Sequence, residues 1–153
     1  MTRIPANPGT PWLVAAGWLS AAASLLHIGC IIGGEEWYRF FGAGEEIAMA
    51  AAAGKMWPHL LTLGIAVVLA IWAAYAFSGA GRIRRLPLLR TGLVVITAIY
   101  LLRALLLLPA LALNPAVLTT FDVVSSLIVL MYGLAYAIGT AKAWAAMRKA
   151  VVA

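Results

Sequence analysis

Charged residues are scarce in this chain, and their scarcity excludes an ordinary water-soluble globule. Of the 153 residues, 65% are hydrophobic and only 10% are charged, whereas a soluble domain carries about 25% charged residues. There is too little polar surface to cover a globule in water. The length predicts a single domain, which the composition places in a membrane.

Cysteine and negative charge are also in short supply. The one cysteine, Cys30, cannot form an intramolecular disulfide. The net charge is +6, which in a soluble protein would suggest nucleic acid as a partner. Here the basic residues flank apolar runs, so the sequence predicts membrane lipid as the partner and no nucleic acid.

Long hydrophobic runs, by contrast, are abundant. A helix that crosses a bilayer needs about 20 mostly apolar residues, and four segments qualify: 12–32, 57–77, 88–113 and 118–140. The first is too long for the apolar core of a signal peptide, about 7–15 residues, and is interpreted as a retained helix. Asn114-Pro115 indicates a turn before the fourth. The sequence therefore predicts an all-α fold, a four-helix transmembrane bundle in one integral membrane domain.

Basic residues are distributed unevenly between the two sides of such a bundle. One side carries no acid and eight bases: Arg3, Arg82, Arg84, Arg85, Arg90, Lys142, Arg148 and Lys149. The other side holds the loop 33–56, with four glutamates, an aromatic string from Trp37 to Phe41 and a predicted short helix from Glu45 to Ala53. The positive-inside rule predicts that both termini are cytoplasmic and that this loop faces outward.

Apart from Arg90 at the basic end of the third span, the spans hold four ionisable residues, one in each: His27, His59, Arg103 and Asp122. A charge at the centre of a membrane helix costs about 2.5–3.5 kcal/mol on insertion scales, so such residues need a reason. With 1.5 Å of rise per residue, all four lie roughly 3–15 Å below the outer interface. They are predicted to converge in the outer half of the bundle.

Helical spacing supports this convergence. Tyr100 shares a face with Arg103, and Ser125 shares one with Asp122. Arg103 and Asp122 belong to one helical hairpin and are the predicted ion pair. Two interpretations of Arg103 stay open, a neutralised pair that locks the hairpin and an anchor for an anion or a lipid headgroup.

The two histidines allow three interpretations. They form a buried polar network, or they serve in proton-coupled or catalytic chemistry, or they ligate a haem or a metal, with Cys30, Met49 and Met56 as nearby soft donors. No motif with metal-ligand spacing supports the third. Glu35 and Glu36 follow the first span directly and could supply a carboxylate near His27 for acid–base chemistry, or they are simply solvated.

Three strings resemble those of small uncharacterised bacterial four-helix integral membrane proteins. They are residues 37–45, Ser78-Gly79-Ala80-Gly81 and Leu86-Pro87-Leu88. In size and layout the chain is also loosely similar to the DoxX-like group. The resemblance implies a bacterial inner membrane and a four-helix fold, and it assigns no catalytic residue.

The leading functional hypothesis is a membrane protein that binds or transports a small polar or amphipathic ligand. Its predicted site comprises His27, His59, Arg103, Asp122, Tyr100, Ser125, Glu35 and Glu36, with the outer loop as a cap. A haem- or metal-dependent redox protein or intramembrane enzyme using His27 and His59 is one alternative. A subunit of a larger membrane complex, or a homo-oligomer, is another. The sequence indicates no particular cofactor and leaves enzymatic activity undecided.

Overall fold

The computed structural model describes residues 3–113 and 115–148. Lys149, which contributes to the orientation argument, and Asn114, which belongs to the predicted turn, lie outside the described residues. Every element in the described part is helical. The helices are α1 (Thr10–Phe40), α2 (Glu45–Ala52), α3 (Trp57–Gly79), α4 (Leu89–Leu105), α5 (Leu107–Leu113) and α6 (Thr120–Ala143), with 3₁₀ turns at Pro115–Val117 and Ala146–Arg148.

Four helical segments are long and apolar enough to cross a bilayer: Thr10–Phe40, Trp57–Gly79, Leu89–Leu113 and Thr120–Ala143. They contain 31, 23, 25 and 24 residues, and each therefore exceeds the length that about 30 Å of hydrocarbon requires. The predicted all-α fold with four transmembrane helices is confirmed, and the protein is a multi-pass membrane protein. Large apolar side chains are exposed along all four segments, as expected where lipid replaces water.

Glycines in the left-handed conformation terminate three of the helical segments. At the end of α1, the amide of Gly42 donates to the carbonyl of Arg39 and that of Ala43 donates to Tyr38. This is the Schellman arrangement, in which glycine avoids the steric penalty of a positive φ, here 68°. The amide pairs of Gly54 with Lys55 and of Gly81 with Arg82 repeat it after α2 and α3. These ends satisfy carbonyls that a membrane would otherwise leave unpaired.

Two helices depart from the predicted spans, each for a local reason. The first was expected to end near Ile32, but α1 breaks only at Gly34 (φ 63°, ψ −143°) and is helical again to Phe40. The third is interrupted at Leu106, between α4 and α5. Pro109 lacks an amide hydrogen and its ring crowds the carbonyl four residues earlier, that of Leu105, which explains the break there.

The chain forms two compact units. The terminal unit contains the residues up to Leu19 and those from Trp72 onward, and the hairpin unit contains Ser20–Ile71. The largest fully buried apolar side chains of the terminal unit are Leu13, Leu89, Leu93, Tyr136 and Met147. The backbone of Gly9 lies so close to Gly139 and Ala143 that a side chain at Gly9 would overlap them, so small residues permit close helix packing here.

Candidate functional site

The part of α1 that follows the break at Gly34 packs against the part that precedes it, within the hairpin unit. The ring of Trp37 lies over Gly29 and Gly33. A Cβ atom at Gly29 would be 2.9 Å from Trp37 Cζ3, and one at Gly33 would overlap Trp37 Cγ. Two glycines one turn apart thus leave a flat surface against which the indole packs. This packing fixes the direction of the chain after Gly34.

The residue after Trp37, Tyr38, is buried by the same part of the structure. Tyr38 is 2% exposed and packs with Cys30 and Ala48, while Phe41 and Ile47 lie against the same cluster. A buried phenol needs a hydrogen-bond partner, because an unpaired polar group in an apolar environment is costly. The partner is His59, whose Nδ1 lies 3.0 Å from the Tyr38 hydroxyl. The hydrogen bond between Tyr38 and His59 thereby joins the last part of α1 to the start of α3.

His27 bonds to its own helix. Its Nδ1 lies 2.7 Å from the carbonyl oxygen of Ala23. A carbonyl can only accept, so Nδ1 carries the proton, and the Nε2 atom of the neutral ring keeps its lone pair. His27 lies one helical turn before Cys30, which contacts the Tyr38 cluster. One turn earlier, the Ser24 hydroxyl donates to the Ala66 carbonyl at 2.7 Å and ties α1 to α3.

The second nitrogen of each histidine is available to a ligand. Neither Nε2 has a hydrogen-bond partner among the described residues. Among the described residues, two side-chain atoms are enclosed and have no hydrogen-bond partner: Arg90 Nε and Thr140 Oγ1. Both histidines are half-buried, and because neither Nε2 is among those enclosed atoms, both keep some accessible surface.

The acids of the predicted outer loop bind an arginine. Arg39 forms ion pairs with Glu35 at 2.9 Å and Glu45 at 2.8 Å. Its Nε and Nη2 donate to the two oxygens of Glu45, and these hydrogen bonds lower the pKa of the Glu45 carboxyl from its ordinary value of 4.5. Glu36 is exposed and makes no ion pair with any described residue. Glu35 is therefore held by Arg39, and neither Glu35 nor Glu36 bonds to His27.

In the terminal unit, Asp122 acts as a helix cap. Its Oδ2 accepts hydrogen bonds from the amide and the hydroxyl of Thr119, at 2.8 and 2.7 Å. The Thr119 hydroxyl in turn accepts from the Asp122 amide, which completes a capping box at the start of α6. Ser125, another predicted site residue, donates to the Asp122 carbonyl at 3.2 Å.

The predicted contact between Arg103 and Asp122 is looser than an ion pair. Arg103 is exposed and attracts Asp122 electrostatically. Within the described residues, however, the ion pairs closer than 4.0 Å are the two of Arg39. The sequence showed an arginine and an aspartate on one hairpin but not that Thr119 would bind the carboxylate. Convergence of these two charges with His27 and His59 stays a prediction.

Tyr100 lies in an aromatic cluster rather than at a surface. It is 6% exposed, and its ring centroid lies 4.9 Å from that of Trp72 and 5.5 Å from those of Tyr132 and Tyr136. The Tyr136 hydroxyl donates to the Trp72 carbonyl at 2.9 Å. Edge-on and tilted contacts of this kind stabilise a helix interface, and a role of Tyr100 in ligand binding stays a prediction.

The described part of the chain contains no cluster of three or more histidine, cysteine, aspartate or glutamate side chains that could hold a metal ion. The bond from His27 Nδ1 to a carbonyl would orient Nε2 as a metal donor, but further donors are not gathered around it.

Sequence reasoning missed one residue of this site, Tyr38. The aromatic string from Trp37 to Phe41 was interpreted as an interfacial belt, which fits Phe40 at 75% exposed. The overlooked signal is Gly42 four residues after Tyr38, since a helix that ends at Gly42 turns one side of the string toward the protein. No protein-family model matches this sequence, and no curated protein or solved structure does either. The resemblance to DoxX-like proteins therefore stays a prediction.

Proposed function

We propose that this protein binds a small amphipathic ligand in the outer leaflet of a bacterial inner membrane, with both termini in the cytoplasm. The ligand's polar head bonds to His59 and His27, and its apolar part lies along the adjacent helix surface. The observation that carries the proposal is that His27 and His59 each have one ring nitrogen bonded within the protein and an accessible Nε2 without a partner among the described residues.

The fixed ring of His59 supports a binding role. Tyr38 holds one nitrogen and is itself enclosed by Cys30 and Ala48, so the ring is oriented before any ligand arrives. Preorganised donors and acceptors bind more tightly because less freedom is lost on binding. A polar network that served only cohesion would have no need to keep both Nε2 atoms reachable.

The chemistry of the site indicates the class of ligand. His27 Nε2 accepts a hydrogen bond in the neutral ring, and a ring held by a phenol can donate or accept. Residues near His59 are apolar and exposed: Met56 at 65%, Trp57 at 42% and Leu60 at 61%. This combination suits a molecule with a hydroxyl, carbonyl or protonated carboxyl head on an aliphatic or aromatic tail.

Native mass spectrometry of the protein released from a mild detergent tests this proposal. We expect the wild type to retain a non-covalent mass, and His59→Ala and His27→Ala to lose most of it. Tyr38→Phe should weaken retention without abolishing it, because the ring of His59 stays but loses its orienting bond. Thr97→Ala is the control, since its hydroxyl bonds only to Leu93 of the same helix.

Two outcomes would contradict the proposal. One is a wild type that carries no bound molecule when released under several detergents. The other is a mass that both histidine variants retain in full. Either result, together with normal folding of Tyr38→Phe, would favour a subunit whose polar groups serve cohesion only.

A further inference from the structure

In the terminal unit, the helices α4, α5 and α6 carry one cation on an otherwise apolar exposed surface. Arg103 is exposed, and so are Ile99 (44%) and Leu106 (54%), one turn away on either side, and the adjacent Leu102 (63%). Tyr100, three residues earlier, faces the protein interior at 6% exposed. Arg103 lies ten residues before the end of the third span at Leu113, about 15 Å along the helix. A guanidinium at that depth needs an anionic partner, since lipid tails offer none.

Asp122, the aspartate of the unit that contains Arg103, is only partly engaged. Asp122 binds Thr119 through Oδ2 alone, and its Oδ1 has no hydrogen bond to any described residue. Arg103 reaches it only through longer-range attraction. Each of the two charges therefore has capacity for a direct partner that the described part of the chain does not supply.

The surface around these charges is not covered by any residue that the structure describes. Helix α5 contains no buried residue. At the start of α6, Phe121 and Val123 are each 37% exposed, Val124 is 47% exposed and Leu127 is 57% exposed. The last part of α4 has the same character, with Leu105 at 51% exposed. We call this surface the Arg103 face.

We propose that a second copy of this chain covers the Arg103 face, with Arg103 of one copy bound to Asp122 of the other. Charge complementarity selects this occupant, because the face carries both members of the pair. In a two-fold dimer, residue i meets j and j meets i, so both charges of both copies are neutralised at once. An anionic lipid would satisfy Arg103 and leave Asp122 as it is.

The relative depth of the two charges is compatible with this pairing. A two-fold axis along the bilayer normal leaves every residue at its own depth. Asp122 lies in the first turn of α6, and the long side chain of Arg103 can extend along its own helix toward that end. The paired charges would be enclosed by the apolar side chains of the Arg103 face.

Two charge-reversal variants test the proposal by creating partners that bind only each other. Arg103→Asp places two acids on the face and Asp122→Arg places two bases there, so neither variant should dimerise with itself. Co-expressed with different affinity tags in one membrane, the two should form a mixed dimer, because both contacts then join opposite charges. Co-purification in mild detergent and native mass spectrometry give the composition of the dimer.

Arg103→Leu provides a second measurement that leaves the Thr119–Asp122 cap intact. We expect it to raise the dissociation constant of the dimer more than about tenfold. Thr97→Leu on the same helix is the matched control and should dimerise as the wild type does, and circular dichroism checks the helix content of every variant.

Three results would overturn the proposal. The first is a wild type that stays monomeric in lipid as well as in detergent. The second is rescue of stability by both reversals in one chain with no mixed dimer from two chains, which would show an internal pair. The third is loss of a bound anionic lipid from Arg103→Leu with no change in oligomeric state. None of these depends on the ligand proposed for His27 and His59.

Discussion

At the scale of single residues, the absence of a side chain at Gly33 allows Trp37 to pack against α1 on the other side of the break at Gly34. Trp37 occupies the space that any larger side chain at Gly33 would need. The backbone immediately after Trp37 carries Tyr38, and Tyr38 orients His59. A steric change at Gly33 is therefore expected to reach the candidate ligand site through Trp37 and Tyr38.

We expect Gly33→Ala to lower the free energy of unfolding by about 1–3 kcal/mol, the usual cost of overpacking. The new methyl would meet the root of the indole rather than its flexible end. Thermal unfolding in detergent measures the change. Gly64→Ala is the control, because nothing lies within 4 Å of a methyl there, and it should gain stability slightly through helix propensity. Equal stability of the two variants would show that Trp37 moves aside freely.

At the scale of elements, Arg39 holds the short helix α2 at the end of α1. Glu45, the first residue of α2, accepts hydrogen bonds from Nε and Nη2 of Arg39, and Glu35, one turn before Arg39 in α1, forms an ion pair with the same Nη2. These pairs are exposed, and exposed ion pairs contribute little to global stability. Their effect is local, because they set the position of the helix whose Ala48 closes over Tyr38.

The amide protection of α2 should depend on pH through Glu45. Its pKa in the folded chain is lowered by Arg39, so the interaction is fully present above the ordinary pKa of 4.5 and is lost as the pH falls through the lowered value. Hydrogen-exchange protection factors for α2, measured from about pH 7 to about pH 3, should therefore decrease at the acidic end.

Variants of two adjacent acids separate this effect from general acid unfolding. Glu45→Gln should show reduced protection of α2 already at neutral pH and a weaker decrease below it. Glu46→Gln, which removes an acid without an ion pair to any described residue, should behave as the wild type does. Identical profiles for the two variants would mean that Arg39 does not hold α2.

At the scale of the whole molecule, the basic residues predict its orientation in the bilayer. Several bases that share one predicted side are also bound in the structure. The Arg90 guanidinium donates to the Trp144 carbonyl at 2.7 Å and lies 4.2 Å from the centre of its ring, and Lys142 lies over Trp12. Arg82 and Arg84 are exposed between α3 and α4, where anionic lipid can reach them.

Cysteine labelling tests this orientation. In a Cys30→Ala background, we expect a membrane-impermeant maleimide to label Lys55→Cys in intact cells and to label Arg84→Cys only after permeabilisation. Both positions are exposed, so reactivity depends on side rather than on burial. The reverse pattern would place the termini outside and would move the candidate ligand site to the cytoplasmic leaflet.

The sequence by itself determined the membrane class, the all-α fold and the number of spans. Each depends on runs of about 20 apolar residues, a local property that bilayer thickness makes decisive. The sequence also contains the causes of two helix interruptions, Gly34 and Pro109, although the composition around them predicted a loop in one case and a continuous span in the other. The third segment still serves as one candidate span, Leu89–Leu113, with the interruption inside it.

Only the tertiary structure decided which polar groups bond to one another. Tyr38 and His59 are 21 residues apart, and their contact depends on the direction that the chain takes after Gly34. Asp122 binds Thr119 rather than Arg103 because a partner three residues away costs far less entropy to engage than a long side chain on another helix. Helical spacing shows which residues share a face, but the partner across that face is set by packing between helices.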